Sequence, residues 1–306
     1  MSREEKRLIS FRAEDGFLLN ALLLTKSFNN EEVDLLDRPI IIHVHGVLGH
    51  FLARGTPRLL PPALLEHGIS SFSVNNRMAF MGQIMGEGIF DYAIKDIDAA
   101  VDLLRKEGFR KIFIFGYSLG ANIVAYHASQ RPNAGIQGLI LEGCAFSLPD
   151  SQRKRWEKWD SIPTYDEVYV RAREVLGKDP DKSANDQIFI VYRAWGPTFN
   201  PFHVEIFTYK TWWFMRGPEA YNAMTFRVIS KIKVPILFLQ GENDDILDPG
   251  EAKDLADLVH KAGNHDITVR YIPRAMHDCM ENPEETVKSI VEWVSYVDSN
   301  REKIIK

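Results

Sequence analysis

The stretch "FGYSLGAN" (115–122) sets Ser118 between Gly116 and Gly120. Gly-x-Ser-x-Gly between a strand and a helix is the spacing of a nucleophile on a strained turn. The glycines let the two elements approach without a clash, and the strain lifts the hydroxyl clear of the backbone. A helix starting there also aims its N-terminal dipole at any anion formed on the serine. A serine needs a base, and a histidine base needs an orienting carboxylate. The histidines after Ser118 are His127, His203, His260, His265 and His277. His127 falls inside the helix that follows the serine, His203 in an aromatic-rich interval, and His260 and His265 around a helix end suited to solvated surface. His277 differs because it follows "ITVRYIPRAM", four residues beyond the end of a predicted strand.

Four carboxylates, Glu242, Asp244, Asp245 and Asp248, crowd into "GENDDILDPG" (241–250) after the apolar run "VPILFLQ". Asp248 precedes Pro249, with Glu251 three residues on, which reads as an N-cap, a proline at the first helical position and a capping-box partner. That assigns Asp248 to structure. Asn282, Pro283 and Glu285 repeat the device after His277. Glu242 touches the strand end and has little loop to carry it toward a histidine. Spacing alone leaves Asp244 and Asp245 open, with Glu142, inside the preceding strand, as a weaker alternative.

These residues need a frame. "KRLISFRAEDGFLLNALLLT" reads as a hairpin turning at Asp15-Gly16, followed by a polar linker over 26–37. Short apolar runs then recur at 39–46, 70–76, 111–118, 138–144, 235–241 and 267–273, as strands of a sheet covered on both faces require. Between them lie helical segments such as "FDYAIKDIDAAVDLLRKEG", whose Ile94, Ile97, Ala100, Val101 and Leu104 share one face. Alternation of this kind implies an α/β fold with a doubly wound, mostly parallel sheet, whose ligands sit beyond the carboxyl ends of the strands. The interval between Cys144 and Pro235 is too long for one crossover helix. It is rich in aromatic residues, including Trp156, Trp159, Trp195, Trp212 and Trp213, and reads as an inserted, mostly helical cap over 146–232. The core is then 1–145 and 233–306.

With the strand, the serine motif and the following helix in place, the chain resembles the α/β-hydrolase family over essentially its whole length. The resemblance implies an oxyanion hole built from the N–H after the nucleophile and one from a loop beginning His-Gly. In "IIHVHGVLGH" these match His45-Gly46, so the implied donors are the backbone N–H groups of Val47 and Leu119. It also implies the order serine, acid, histidine, with His277 as the base. The family spacing from glycine to aspartate, then two apolar residues and proline, maps onto Gly241, Asp244, Ile246, Leu247 and Pro249, which favours Asp244 over Asp245. Similar dehalogenases and epoxide hydrolases carry aspartate where this chain has Ser118, so those activities are disfavoured.

The expected function is therefore a metal-independent serine hydrolase, a carboxylesterase in the first instance, acting on a small-molecule acyl substrate with an apolar or aromatic group. Thioesterase, amidase or peptidase, carbon–carbon hydrolase and noncatalytic binding protein are the alternatives. His43, His45 and His50 are read as packing residues of the loop rather than metal ligands, and no cofactor is called for. "SQRKRWEKWD" (151–160) is read as a solvated helix face. A net charge of -5 gives no footprint for nucleic acid, and no apolar run approaches the roughly 20 residues of a membrane span. The charged start lacks a secretory h-region, and two cysteines, Cys144 and Cys279, fit free thiols in a reducing cytoplasm.

Overall fold

The computed structural model describes residues 3–27, 35–47, 49–79, 86–184, 187–195 and 198–305. Among the described residues ten strands are formed: β1 (Arg3–Arg12), β2 (Leu18–Ser27), β3 (Pro39–Val44), β4 (Ser70–Asn75), β5 (Lys111–Tyr117), β6 (Gly138–Glu142), β7 (Ile188–Trp195), β8 (Thr198–Thr208), β9 (Ile236–Gly241) and β10 (Ile267–Ile272). Eight make one sheet in the order β1-β2-β4-β3-β5-β6-β9-β10. The β1–β2 hairpin turns at the expected Asp15-Gly16, where the Gly16 N–H donates to the Ala13 carbonyl. β2 pairs antiparallel with β4, and all pairings from β4 to β10 are parallel. This is the doubly wound sheet expected. Of the polar linker at 26–37, residues 28–34 lie outside the described residues.

The central strands are apolar at successive positions because both faces are covered. β6 and β9 are buried throughout, and in β3 Ile40 and Ile42 join one apolar cluster while Ile41 joins the other. Each such side chain contributes about 1.5–3 kcal/mol when fully buried. The helix Ala93–Lys106 packs Ile94, Ile97, Ala100, Val101 and Leu104 inward, as their spacing predicts. Cys144 and Cys279 are buried free thiols in separate clusters, and burial pushes both thiols up.

Between β6 and β9 stand the helices Leu148–Lys158, Tyr165–Leu176 and Tyr209–Arg216. With them comes an antiparallel ribbon, β7–β8, so the interval is less helical than expected. Along β7, Phe189 and Val191 are buried while Ile188, Ile190 and Tyr192 are exposed, the period-two alternation of a half-buried strand. Trp156, Tyr165, Phe189, Phe207, Trp212 and Trp213 gather in an apolar cluster of the interval's own. Most of its aromatic rings are therefore packing. The side chains of Trp195 and His203 lie outside the described part.

Candidate active site

Ser118 follows β5 directly with φ 52° and stands at the N-cap of the helix Leu119–Gln130. A non-glycine residue at that φ carries backbone strain of about 1–3 kcal/mol, held in place by its surroundings. The flanking glycines show why. A Cβ on Gly116 would lie 2.5 Å from the Gly120 carbonyl, and one on Gly120 would lie 2.2 Å from that of Val44. Only hydrogen fits where strand and helix cross.

The loops after β9 and β10 bring the other candidates to this turn. His277 Nε2 lies 2.9 Å from Ser118 Oγ, and its Nδ1 lies 3.0 and 3.1 Å from the Asp244 oxygens Oδ2 and Oδ1. Asp244 also accepts the N–H groups of Ile246 and Leu247 at Oδ1, 2.8 and 2.9 Å away. Burial works against its charge, but the His277 hydrogen bond and charge and these two N–H groups prevail, holding Asp244 below the usual carboxylate range. An ionised Asp244 only accepts, so the ring proton sits on Nδ1 and Nε2 accepts from the serine hydroxyl. The Asp244 side chain is 1% exposed and that of His277 12%.

The other carboxylates go elsewhere. Asp245 is exposed, and Glu242 accepts the Arg274 N–H at 3.4 Å. Asp248 is structural in a different way from the N-cap expected. The helix begins later, at Glu251 after Gly250. Glu251 Oε1 still receives the Asp248 N–H at 3.1 Å, but the Asp248 carboxylate pairs with Lys154 at 2.7 Å. Asn282 and Pro283 do open the last helix, the Asn282 carbonyl accepting the Thr286 N–H at 3.1 Å, while the Asn282 side-chain amide donates to the Pro273 carbonyl.

Of the remaining histidines, His127 bonds Asp98 at 2.9 Å. His43 faces Ser71 Oγ at 3.1 Å, and His45 Nδ1 donates to the Gly46 carbonyl at 2.8 Å. Burial lowers these two to about 3 and about 4, so both are neutral near pH 7. His50 is exposed.

A cavity of about 290 Å³ opens on Ser118 and His277, and Val47 and Leu119 both line it. Leu119 is the first residue of its helix, where an N–H has no acceptor within the helix. A Cβ on Gly46 would stand 3.2 Å from that of Ser118, so the 45–47 loop packs directly on the serine. Across the cavity, Leu148, Gln152, Arg155 and Trp159 form one stripe, joined by Met215, Arg216 and Glu205. The solvated-face reading of 151–160 holds for exposed Arg153, Lys154 and Glu157 only in part of the turn; Gln152 is buried and Arg155 faces the site. The spacing 148, 152, 155, 159 was the available signal, hidden because half of that stripe is polar. Tyr117, whose ring centroid is 5.6 Å from that of His277, was also not singled out.

Residues 38–284 match the model of the family described as serine aminopeptidase, S33. The chain belongs to that family. This S33 protein is a hydrolase with the α/β-hydrolase fold. It is 31% identical over 141 residues to a 2-succinyl-6-hydroxy-2,4-cyclohexadiene-1-carboxylate synthase of Serratia proteamaculans, a match covering 44% of this chain and 48% of that one. The match therefore spans about half of that relative's length. Among solved structures it is similar to an esterase of Pyrococcus furiosus (TM-score 0.64, 17% identity, covering 95% and 90% of the two chains). A carboxyl esterase of Bacillus coagulans gives a TM-score of 0.63 at 15% identity, covering 96% and 99%. At such identities the likeness is one of fold. Among the described residues of the S33 protein, no helix is long and apolar enough to cross a membrane.

Proposed function

We propose that this hydrolase cleaves small carboxylic esters, with Ser118 as nucleophile, His277 as base and Asp244 as its orienting acid. The observation that carries the reading is the unbroken line of hydrogen bonds from Ser118 Oγ through both ring nitrogens of His277 to Asp244. His277 Nε2 takes the hydroxyl proton as Oγ bonds to the acyl carbon. The proton passes to the leaving alcohol oxygen as its bond to that carbon breaks, and water, activated by the same nitrogen, releases the acid and restores the serine. The N–H groups of Val47 and Leu119 are the assigned oxyanion donors, a contribution of about 3–4 kcal/mol for each well-placed donor.

In this reading residues 146–232 form a cap over a core of 1–145 and 233–306. Leu148, Trp159, Met215 and Ile246 offer an apolar or aromatic acyl group its contacts, and Gln152, Arg155, Arg216 and Glu205 make the same cavity polar elsewhere. That mixed lining supports a compact acyl group over a long alkyl chain. Similarity of fold to the two esterases supports ester chemistry. The family's description as aminopeptidases favours amide hydrolysis as the second reading.

The test is labelling with a fluorophosphonate, followed by turnover of esters, thioesters and amides of graded acyl length. Label on Ser118 and a preference for short esters are expected. Folded protein that takes no label at Ser118 would refute the hydrolase mechanism, and amides turned over faster than matched esters would select the second reading.

A further inference from the structure

Glu142, the last residue of β6, is fully buried and lies outside the hydrogen-bonded line just described. Its backbone nevertheless holds Ser118, its neighbour Gly143 lies against His277, and its side chain reaches the loop that carries His277 through Thr56. The Glu142 carbonyl accepts the Ser118 N–H at 2.8 Å. The next residue, Gly143, has φ 60°, and a Cβ there would stand 2.8 Å from Cε1 of the His277 ring, so the imidazole rests on that glycine. On the side chain, Oε1 lies 2.7 Å from Thr56 Oγ1, and the same hydroxyl lies 2.8 Å from Oδ1 of Asp278, the residue after His277. Asp278 further accepts the N–H groups of Thr56 and Met280.

A threonine hydroxyl has one hydrogen, and here two carboxyl oxygens stand within bonding distance of it. It can donate to one only, so the other carboxyl must carry a proton and donate to the hydroxyl. Two ionised carboxylates on either side of a buried hydroxyl would also repel. The asymmetry of the site says which is neutral. Asp278 faces two backbone N–H donors besides the hydroxyl, whereas Glu142 has only the backbone N–H of Cys279 beside it, and no hydrogen bond reaches its buried Oε2 among the described residues.

We propose that Glu142 is a positioning residue: as a neutral acid it donates to Thr56, Thr56 donates to the Asp278 carboxylate, and this one-proton bridge fixes the backbone that presents His277 to Ser118. The inference rests on His277 being the base. Burial chiefly, against the Thr56 hydrogen bond and with the charge of Asp278 adding, pushes Glu142 up to about 8. The groups facing it are Asp278, Cys279 and His277 from the loop after β10, Asp244 from the loop after β9, and Tyr117 from β5. Burial raises the Tyr117 hydroxyl and the Cys279 thiol well above their ordinary values, so both stay protonated where Glu142 titrates. Ionising Glu142 breaks the bridge and sets a second charge against Asp278.

The experiment is kcat and KM against pH for an ester that the wild type turns over. A reversible fall in kcat on crossing about pH 8, with KM steady within about 2-fold, is expected of the wild type. Glu142→Gln donates to Thr56 at every pH, so its profile should stay flat there, while Glu142→Leu should lose about 10-fold or more in kcat near pH 7. Should these core variants not fold, Thr56→Ser and Thr56→Val serve: serine should keep the wild-type limb, and valine should lose it together with about 10-fold in kcat. The same alkaline limb in Glu142→Gln, or in Thr56→Val, overturns the bridge while leaving the ester hydrolase reading intact. Wild-type protein that hydrolyses nothing and takes no fluorophosphonate overturns both.

Discussion

Replacing Asp244 by asparagine tests the orientation of the base with the loop left in place. Oδ1 accepts the N–H groups of Ile246 and Leu247, and only an oxygen can keep those two bonds. The asparagine oxygen must therefore occupy that position, which puts its NH2 where Oδ2 now stands, 3.0 Å from His277 Nδ1. Oδ1 also lies 3.1 Å from Nδ1, but it already accepts two backbone N–H groups, so the nearer NH2, which can only donate, makes Nδ1 the acceptor and the ring proton moves to Nε2. Nε2 faces Ser118 Oγ at 2.9 Å and then has no lone pair to take the hydroxyl proton. Loss of the correct tautomer costs on the order of 10⁴ in kcat, or about 5 kcal/mol of transition-state free energy. The retained backbone bonds predict little loss of stability. Asp245→Asn, at an exposed neighbour, should stay within about 2-fold of wild type. The assay is hydrolysis of a short 4-nitrophenyl ester beside thermal unfolding by circular dichroism. Asp244→Asn retaining more than about a tenth of the wild-type rate, with a wild-type melting curve, would refute the argument.

Gly143→Ala places a methyl group against the His277 ring at a positive φ, so kcat should fall at least about 10-fold, read with the same ester assay. His43 and His45 are held neutral by burial, with lowered values of about 3 and about 4. The unfolded chain binds protons there first, so the stability they contribute is present above about pH 6.5 and is lost as pH falls toward those values. Urea midpoints between about pH 7 and pH 5 should decline less in His43→Gln than in wild type. Glu142 has the opposite sign: its contribution is present below its ordinary value and is lost as pH rises through about 8, so melting temperature should drop across that range in wild type and not in Glu142→Gln. Lys154→Ala removes an exposed ion pair to Asp248, and a stability change within about 1 kcal/mol is expected by urea titration.

The sheet was legible because its strands announce themselves by composition. β3, β5, β6 and β9 are runs of buried side chains, and burial on both faces leaves little choice of residue. Ser118 and His277 were legible because each follows a strand at the sheet edge where such sites form. Asp244 was separated from Asp245 only by resemblance, since what distinguishes them, two backbone N–H groups turned inward, is a property of loop geometry. The β7–β8 ribbon was passed over because Ile188 to Tyr192 are apolar at every position, and their alternation is one of burial that only the fold reveals. Thr56 and Asp278 gave no signal at all. They are 222 positions apart and acquire meaning only once the sheet brings both to Glu142.

The sheet stops at β1 on one side and β10 on the other. Among the described residues β1 pairs with β2 alone, so its outer backbone groups could template a strand from another molecule. Along it Glu4, Glu5, Lys6 and Arg7 stand exposed in succession. Any strand added there would have to strip water from those charges at every step. That edge thus opposes the addition of a further strand by its own sequence.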